Sequence, residues 1–164
     1  ALAYGLDGQT PNTKIFTKEF TTKSNVAGMS DIQLTWTNHY NLAEAAEADA
    51  AHWGNYAGWS DYALVPVTIS GVSANDDIYW TLTTLPLDYY NYDDEWIRDI
   101  TSNENCHQSV HSFCYFQLPY EYEYSLIAVA KDANGNFGKL FKKEIYLYAS
   151  DSADISSYVY KEVE

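Results

Sequence analysis

Over most of this chain apolar and polar residues alternate with a period of two, the pattern of strands with one buried face. Ile32, Leu34 and Trp36 alternate with Gln33 and Thr35. VPVTIS, ending at Ser70, and IYWTLTTL, starting at Ile78, are rich in β-branched and aromatic residues. They flank a turn over Ser73 to Asp77, which predicts an antiparallel pair. SVHSFCYFQL places Val110, Ser112, Cys114 and Phe116 on one face of a further strand. From Leu118 to Tyr148 the chain reads as a long hairpin, with strands over 122–131 and 139–148 and a turn at Asn134 and Gly135. Both faces of its LIAVA stretch are apolar, so this strand is expected to be covered on two sides.

Two stretches break the alternation. LAEAAEADAAHW predicts a helix over 42–53, with Asn41 as N-cap, Glu44 in the first turn and Gly54 just past the end. With the Gly- and aromatic-rich loop that follows, it reads as an insertion over 38–62. DDEWIRDI carries Trp96, Ile97 and Ile100 at one-face spacing, predicting a short helix over 94–101 capped by Asp93 or Asp94. Residues 150–164 are polar and read as a tail or linker.

Part of the long hairpin occurs twice. Ala3, Asp7, Lys14, Phe16, Lys18 and Glu19 fall, without a gap, on Ala128, Asp132, Lys139, Phe141, Lys143 and Glu144, each 125 positions on. A period near one domain length makes residues 1–24 the terminal hairpin of a preceding β repeat that is truncated. Residues 25–29 then form a linker, and 30–149 a second domain. A lone hairpin needs a sheet to join, which suggests a strand-exchanged homo-oligomer.

Charge narrows the partners. The net formal charge of −14, from 23 acidic and 9 basic residues, repels phosphate backbones, which argues against nucleic acid. No apolar run approaches the ~18 residues of a spanning helix, so direct membrane insertion is not expected. The first residues lack the charged start and apolar core of a signal peptide, and any export signal would lie upstream of Ala1.

The hairpin and its repeat resemble the fibronectin type III-like repeats of Bacteroidetes surface and periplasmic lipoproteins. The resemblance rests on Leu118, Tyr124, Leu126, Ala128, Ala130, Asp132 and Gly135, and on Phe20, Thr21, Thr22 and Lys23 in the partial first copy. Pro119 stands one residue early, Tyr122 replaces a Thr, and the second copy closes with Ile145, Tyr146 and Leu147. The likeness spans residues 1–24 and about 64–148, and it leaves the insertion without a counterpart. It implies an immunoglobulin-like antiparallel β-sandwich with a helical insertion and a short second helix. It implies an extracytoplasmic place at the cell surface or in the periplasm, lipid-anchored through an upstream segment. Tyr124 would tie its strand to the preceding connection through its hydroxyl, as in a tyrosine corner.

Candidate chemistry is sparse. Cys106, His107, His111 and Cys114 are dense in ligand types, but their spacing matches no common zinc knuckle. Cys106 and Cys114 read as a disulfide pair, with two unpaired thiols or a metal site as alternatives. Asp132, Asn134 and Asn136 have the alternate spacing of a calcium loop. Phe137 and Lys143 stand where such a loop needs glycine and a bidentate acid, so a plain turn is expected and no metal or other cofactor is assigned. Asp76, Asp77, Asp93, Asp94 and Glu95 sit where turns and helix caps want carboxylates. No nucleophile or phosphate-loop motif appears, and the expectation is a protein without enzymatic activity, a carboxylate-based hydrolase being the minority reading.

The 16 tyrosines and 5 tryptophans are the stronger lead. Trp53, Tyr56 and Trp59 crowd the insertion, with Tyr62 behind them, and Tyr89, Tyr90 and Tyr92 crowd one loop. Flat rings beside Asp and Asn suit sugar faces and hydroxyls. Trp53 and Trp59 could equally dock the inserted helix. The expected role is a binding or adhesion module that recognises a glycan, with a surface protein partner or a structural spacer as the rival readings.

Overall fold

The computed structural model describes residues 30–164, so residues 1–24, with the orphan-hairpin and strand-exchange expectations they carry, and the linker over 25–29 lie outside the described residues. The fold is mainly β, with two antiparallel sheets and a few short helices. In the first sheet β3 (Tyr62–Ser70) is central. Along one of its edges run β1 (Gln33–Thr35) and β2 (Tyr40–Asn41); along the other runs β6 (Phe113–Pro119), in register from Tyr62 opposite Pro119 to Thr68 opposite Phe113. In the second sheet β5 (His107–Gln108), β4 (Asp77–Thr83), β7 (Glu123–Lys131) and β8 (Phe141–Tyr146) lie side by side in that order.

Alternation decides what each strand buries. Ala63, Val65, Val67 and Ile69 of β3 and Cys114, Phe116 and Leu118 of β6 meet Ile78 and Trp80 of β4 and Leu126, Ala128 and Ala130 of β7 in one cluster drawn from both sheets. On the other side of β7, Ile127 and Val129 pack against Trp96 and Ile100 of α3 (Asp93–Ser102). This strand is therefore covered on both faces, as its LIAVA run predicts. On the other side of β3, Leu64 packs against Leu42, Ala45 and Ala46 of α1 (Leu42–Ala48) and Trp53 of α2 (Ala50–Trp53).

The expected pairing of VPVTIS with IYWTLTTL does not occur. β3 has both edges occupied, by β1 and β2 and by β6, while β4 pairs with β7 and β5. Their apolar faces meet across the core instead of their edges meeting in a ladder. The chain leaves the first sheet at Gly71, whose φ of +76° brings it so close to Asp31 that a Cβ would meet the Asp31 carbonyl oxygen at 2.0 Å. The Asp76 carboxylate then accepts the Ser73 N–H at 2.6 Å, fixing the turn.

The helix expected over 42–53 is present but broken. Asn41 caps it, its Oδ1 accepting the N–H groups of Ala43 and Glu44 at 3.0 and 3.2 Å. Asp49 leaves helical geometry at φ −137° and ψ 69°, and its carboxylate takes the His52 ring nitrogen at 2.8 Å. A short polar side chain that binds locally offers the backbone an alternative to the helix ladder. Gly54 does not stop the second piece but continues it as a 3-10 turn over Gly54–Tyr56. The later helix begins at Asp93, one residue before its expected start, and the Glu95 carboxylate accepts the Tyr92 N–H.

Residues 150–164, expected as a tail or linker, lie against the first sheet. Ile155, Tyr158 and Tyr160 pack on the cluster around Leu64 and Trp53. The Glu164 N–H donates to the Phe113 carbonyl at 3.1 Å, and the Glu164 carbonyl accepts the N–H groups of His111, Ser112 and Phe113.

Candidate binding surface

The seven aromatic residues singled out in the sequence fall into two groups, one beside each sheet. Trp53 is buried, stands edge-on to Tyr115 of β6 at 4.9 Å between ring centres, and donates its indole N–H to the Tyr158 hydroxyl. Burial, and after it the neighbouring Tyr115 phenol, push the Tyr158 phenol well above its ordinary pKa, against the lowering effect of the Trp53 hydrogen bond. Trp53 thus docks the insertion and the C-terminal residues, and its ring is not available as a platform. Tyr90 stands edge-on to Trp96 at 4.8 Å and packs on the α3 side, while Tyr89 and Tyr92 are exposed. These three rings do not converge with Trp53, Tyr56 and Trp59.

A different grouping forms at the β6–β7 end of the molecule. The Tyr120 N–H donates to the Asp61 carbonyl at 2.9 Å, which joins the insertion loop to the β6–β7 connection. Tyr56, Trp59 and Tyr62 then follow one another, with ring centres 5.3 and 4.6 Å apart, and Trp59 is 42% exposed. Beyond them Tyr122 and Tyr124 lie 6.4 Å apart. Burial, then the neighbouring phenols of Tyr122 and Tyr62, raises the pKa of Tyr124. Tyr146 and Tyr148 form a separate pair with ring centres 4.6 Å apart; Tyr146 stands opposite Glu123 in the β7–β8 ladder, on the other face from Tyr124, and its hydroxyl donates to the Glu121 carboxylate at 3.3 Å. Tyr122, Tyr146 and Tyr148 are all exposed. The sequence signals for them are the Tyr-x-Tyr-x-Tyr run at 120–124 and the Tyr-x-Tyr pair at 146–148, which read as ordinary strand alternation because nothing in them tells which rings stay uncovered.

The tie expected of Tyr124 is made four residues earlier. The Tyr120 hydroxyl donates to the Tyr40 carbonyl at 3.3 Å and shares a 2.7 Å hydrogen bond with Ser152, whereas the Tyr124 hydroxyl bonds no described residue. Tyr120 is buried at the connection itself, and Tyr124, already inside β7, packs its ring on the inter-sheet cluster.

Cys106 and Cys114 are unpaired and lie in separate clusters, Cys106 beneath α3 and Cys114 between the sheets. The disulfide reading is not supported by this arrangement: the β-strand that carries Cys114 belongs to the first sheet and turns its thiol into the shared core. Burial pushes the Cys114 thiol up to about 12. His107 lies 3.6 Å from Asp77, and His111 sits between the carbonyls of Asp76 and Ser109, at 2.9 and 3.2 Å. Among the described residues no three His, Cys, Asp or Glu side chains converge on a metal-sized site. Asp132 spends its Oδ1 on the N–H groups of Asn134 and Asn136, as in a hairpin turn, and the hydrogen bonds from Asn136 and Asn134 hold its carboxyl below the usual range. Asp93 pairs with Lys142 at 2.7 Å. No helix among the described residues is long and apolar enough to cross a membrane.

No protein-family model, no curated protein and no solved structure matches the chain.

Proposed function

We propose that residues 30–149 are an immunoglobulin-like β-sandwich of the fibronectin type III type, serving as a non-catalytic binding or adhesion module of an extracytoplasmic lipoprotein. The strand order supports the sandwich: β1 and β2, β3 and β6 on one side, β5, β4, β7 and β8 on the other, with three crossings of the chain between them and one shared core. The extracytoplasmic placement rests on the resemblance of the late hairpin alone.

The observation that carries the binding role is the group of rings at the β6–β7 end, where two loops hold Trp59 and Tyr122 out of the core. A glycan is the ligand this surface suits best. Exposed rings take the C–H faces of sugars, and Glu121 and Asp61 stand beside them for hydroxyls. The test is a glycan-array screen of the protein beside a Trp59→Ala/Tyr122→Ala variant. Binding by the parent that the variant loses supports the module and its site. Silence from both removes the glycan reading and moves the search to protein partners.

A further inference from the structure

Where α3 passes the turn that joins β7 to β8, a cleft of about 500 Å³ opens beside the second sheet. Asp94, Ile97, Arg98 and Thr101 line one wall, spaced as a single face of the helix, and Phe137 and Gly138 of the turn line the other. Ile97 and Phe137 are half-buried against the cluster beneath α3, so both walls are apolar. The turn is held in place by the Gly138 N–H, which donates to the Ala130 carbonyl at 2.9 Å, and by the bridge between Lys131 and Phe137.

The charges at this cleft are unusual for the molecule. Arg98 is the one arginine of the chain, and with 23 acidic residues in the sequence it still makes no ion pair with a described residue. A second cation stands at the opposite wall, the Lys131 ammonium, 5.9 Å from the centre of the Phe137 ring. Two nearby acids are occupied: Asp93 pairs with Lys142 at 2.7 Å, and Asp132 takes the N–H groups of Asn134 and Asn136. Asp94 opens on the cleft one helical turn before Arg98, which sets their Cβ atoms about 5–6 Å apart. A guanidinium grips a carboxylate through two parallel N–H donors, a carboxylate accepts hydroxyls, and an aromatic ring takes a C–H face. A pyranose ring with a carboxylate on one side and hydroxyls on the other answers all three at that spacing.

We propose that this cleft binds a uronic-acid residue of an acidic glycan. Arg98 takes the carboxylate, Asp94 accepts hydroxyls from the far side of the ring, and Phe137 and Ile97 cover its C–H faces. The volume admits one whole sugar ring, and the rest of the glycan runs out into solvent. The net charge of −14 repels an anion at a distance but is screened beyond about 8–10 Å at ordinary salt, so affinity comes from the contacts in the cleft. The site lies at the other end of β7 from the rings around Trp59 and Tyr122, and it does not depend on the reading given to them.

The experiment is calorimetric titration of the full chain with the tetramers of galacturonic, glucuronic, mannuronic and guluronic acid, with the methyl ester of each, and with citrate. The expected result is that at least one acid tetramer binds at least tenfold more tightly than its own ester and than citrate. Arg98→Gln is expected to lose at least tenfold for that tetramer with an unchanged melting temperature, since the side chain is exposed. Arg98→Lys should recover only part of the loss, because an ammonium lacks the paired donors. Lys161→Gln, which removes a cation beside the first sheet, should bind as the parent does. Equal binding of the ester overturns the role of the carboxylate. Equal binding of citrate overturns the sugar and makes the cleft a general carboxylate site. Binding that Arg98→Gln retains, or that Lys161→Gln loses to the same degree, overturns the site. No binding by any tetramer overturns the proposal, and the array screen with Trp59→Ala/Tyr122→Ala judges the other surface separately.

Discussion

Each sheet has an outer face covered by a helix that is held by one tryptophan, and the two covers are built differently. On the second sheet, α3 packs Trp96, 1% exposed, with Ile100, Ile127 and Val129, an almost wholly apolar contact apart from the indole N–H, which donates to the Leu87 carbonyl at 3.3 Å. On the first sheet, the broken pair α1 and α2 brings Trp53 into a stack of Tyr115, Tyr158 and Tyr160 that residues 150–164 help close. The first cover is local in sequence and the second is distributed over more than a hundred residues. The lesson for reading aromatics is that ring density does not mark a site. Rings at helical spacing on a helix go inward, and rings that a connection carries beyond the sheet stay out.

Removing each anchor separates the two covers. Trp96→Ala is expected to cost about 4 kcal/mol, in the range for a fully buried aromatic, because nothing beside α3 can collapse into the space. Trp53→Ala is expected to cost less, about 3 kcal/mol, since the site lies at a seam between the insertion and the C-terminal residues and can close partly. Chemical denaturation of both variants measures the order. A larger loss at Trp53 than at Trp96 would mean that the distributed cover, and not α3, carries more of the stability.

A titration sharpens the view of the core between the covers. The Cys114 thiol, pushed up to about 12 by burial, stays protonated in the folded chain when the unfolded chain has lost its proton. The folded state then binds more protons, so stability is fully present below the unfolded thiol's pKa and falls above it until the folded value is reached. The slope is about 1.4 kcal/mol per pH unit across that window. Cys114→Ala should remove this slope, and the difference between parent and variant from pH 8 to pH 11 tests it. An identical pH dependence would mean that the thiol is not sealed in the core.

The cap of α1 gives a smaller effect on the α1–α2 cover alone. Asn41→Ala takes away the oxygen that the Ala43 and Glu44 N–H groups share and is expected to cost about 1 kcal/mol. Hydrogen exchange should quicken in α1 and α2 and stay unchanged in α3. Faster exchange in both would show that the covers are coupled through the core.

Much of this division was legible before the fold. The strand at Leu126 to Ala130 announces its two covers by being apolar on both faces, and Asn41 announces the start of the inserted helix. The crossing from β3 to β4 was not legible, because a turn-forming stretch between two alternating runs reads the same whether the runs pair in one sheet or face each other across two. The break at Asp49 was hidden inside an Ala- and Glu-rich run whose helix propensity is high throughout. The exposed rings were half legible. Trp59 stood out by its loop, but Tyr122, Tyr146 and Tyr148 belong to runs with ordinary strand alternation that does not tell which of their rings stay exposed.

The smallest expected effect is the most informative about the two kinds of tryptophan. Trp59→Ala removes a ring that is 42% exposed and touches mainly Tyr56 and Tyr62, so stability should change by no more than about 0.5 kcal/mol. Denaturation of this variant beside Trp53→Ala therefore compares a ring held out of the core with a ring that docks the insertion. A near-silent Trp59→Ala leaves no folding reason for a large flat side chain at that position and gives its exposure to binding. A loss as large as that at Trp53 would mean that the Tyr56, Trp59 and Tyr62 series is a third structural cluster, holding the insertion loop to the β6–β7 connection beside the Tyr120 to Asp61 hydrogen bond.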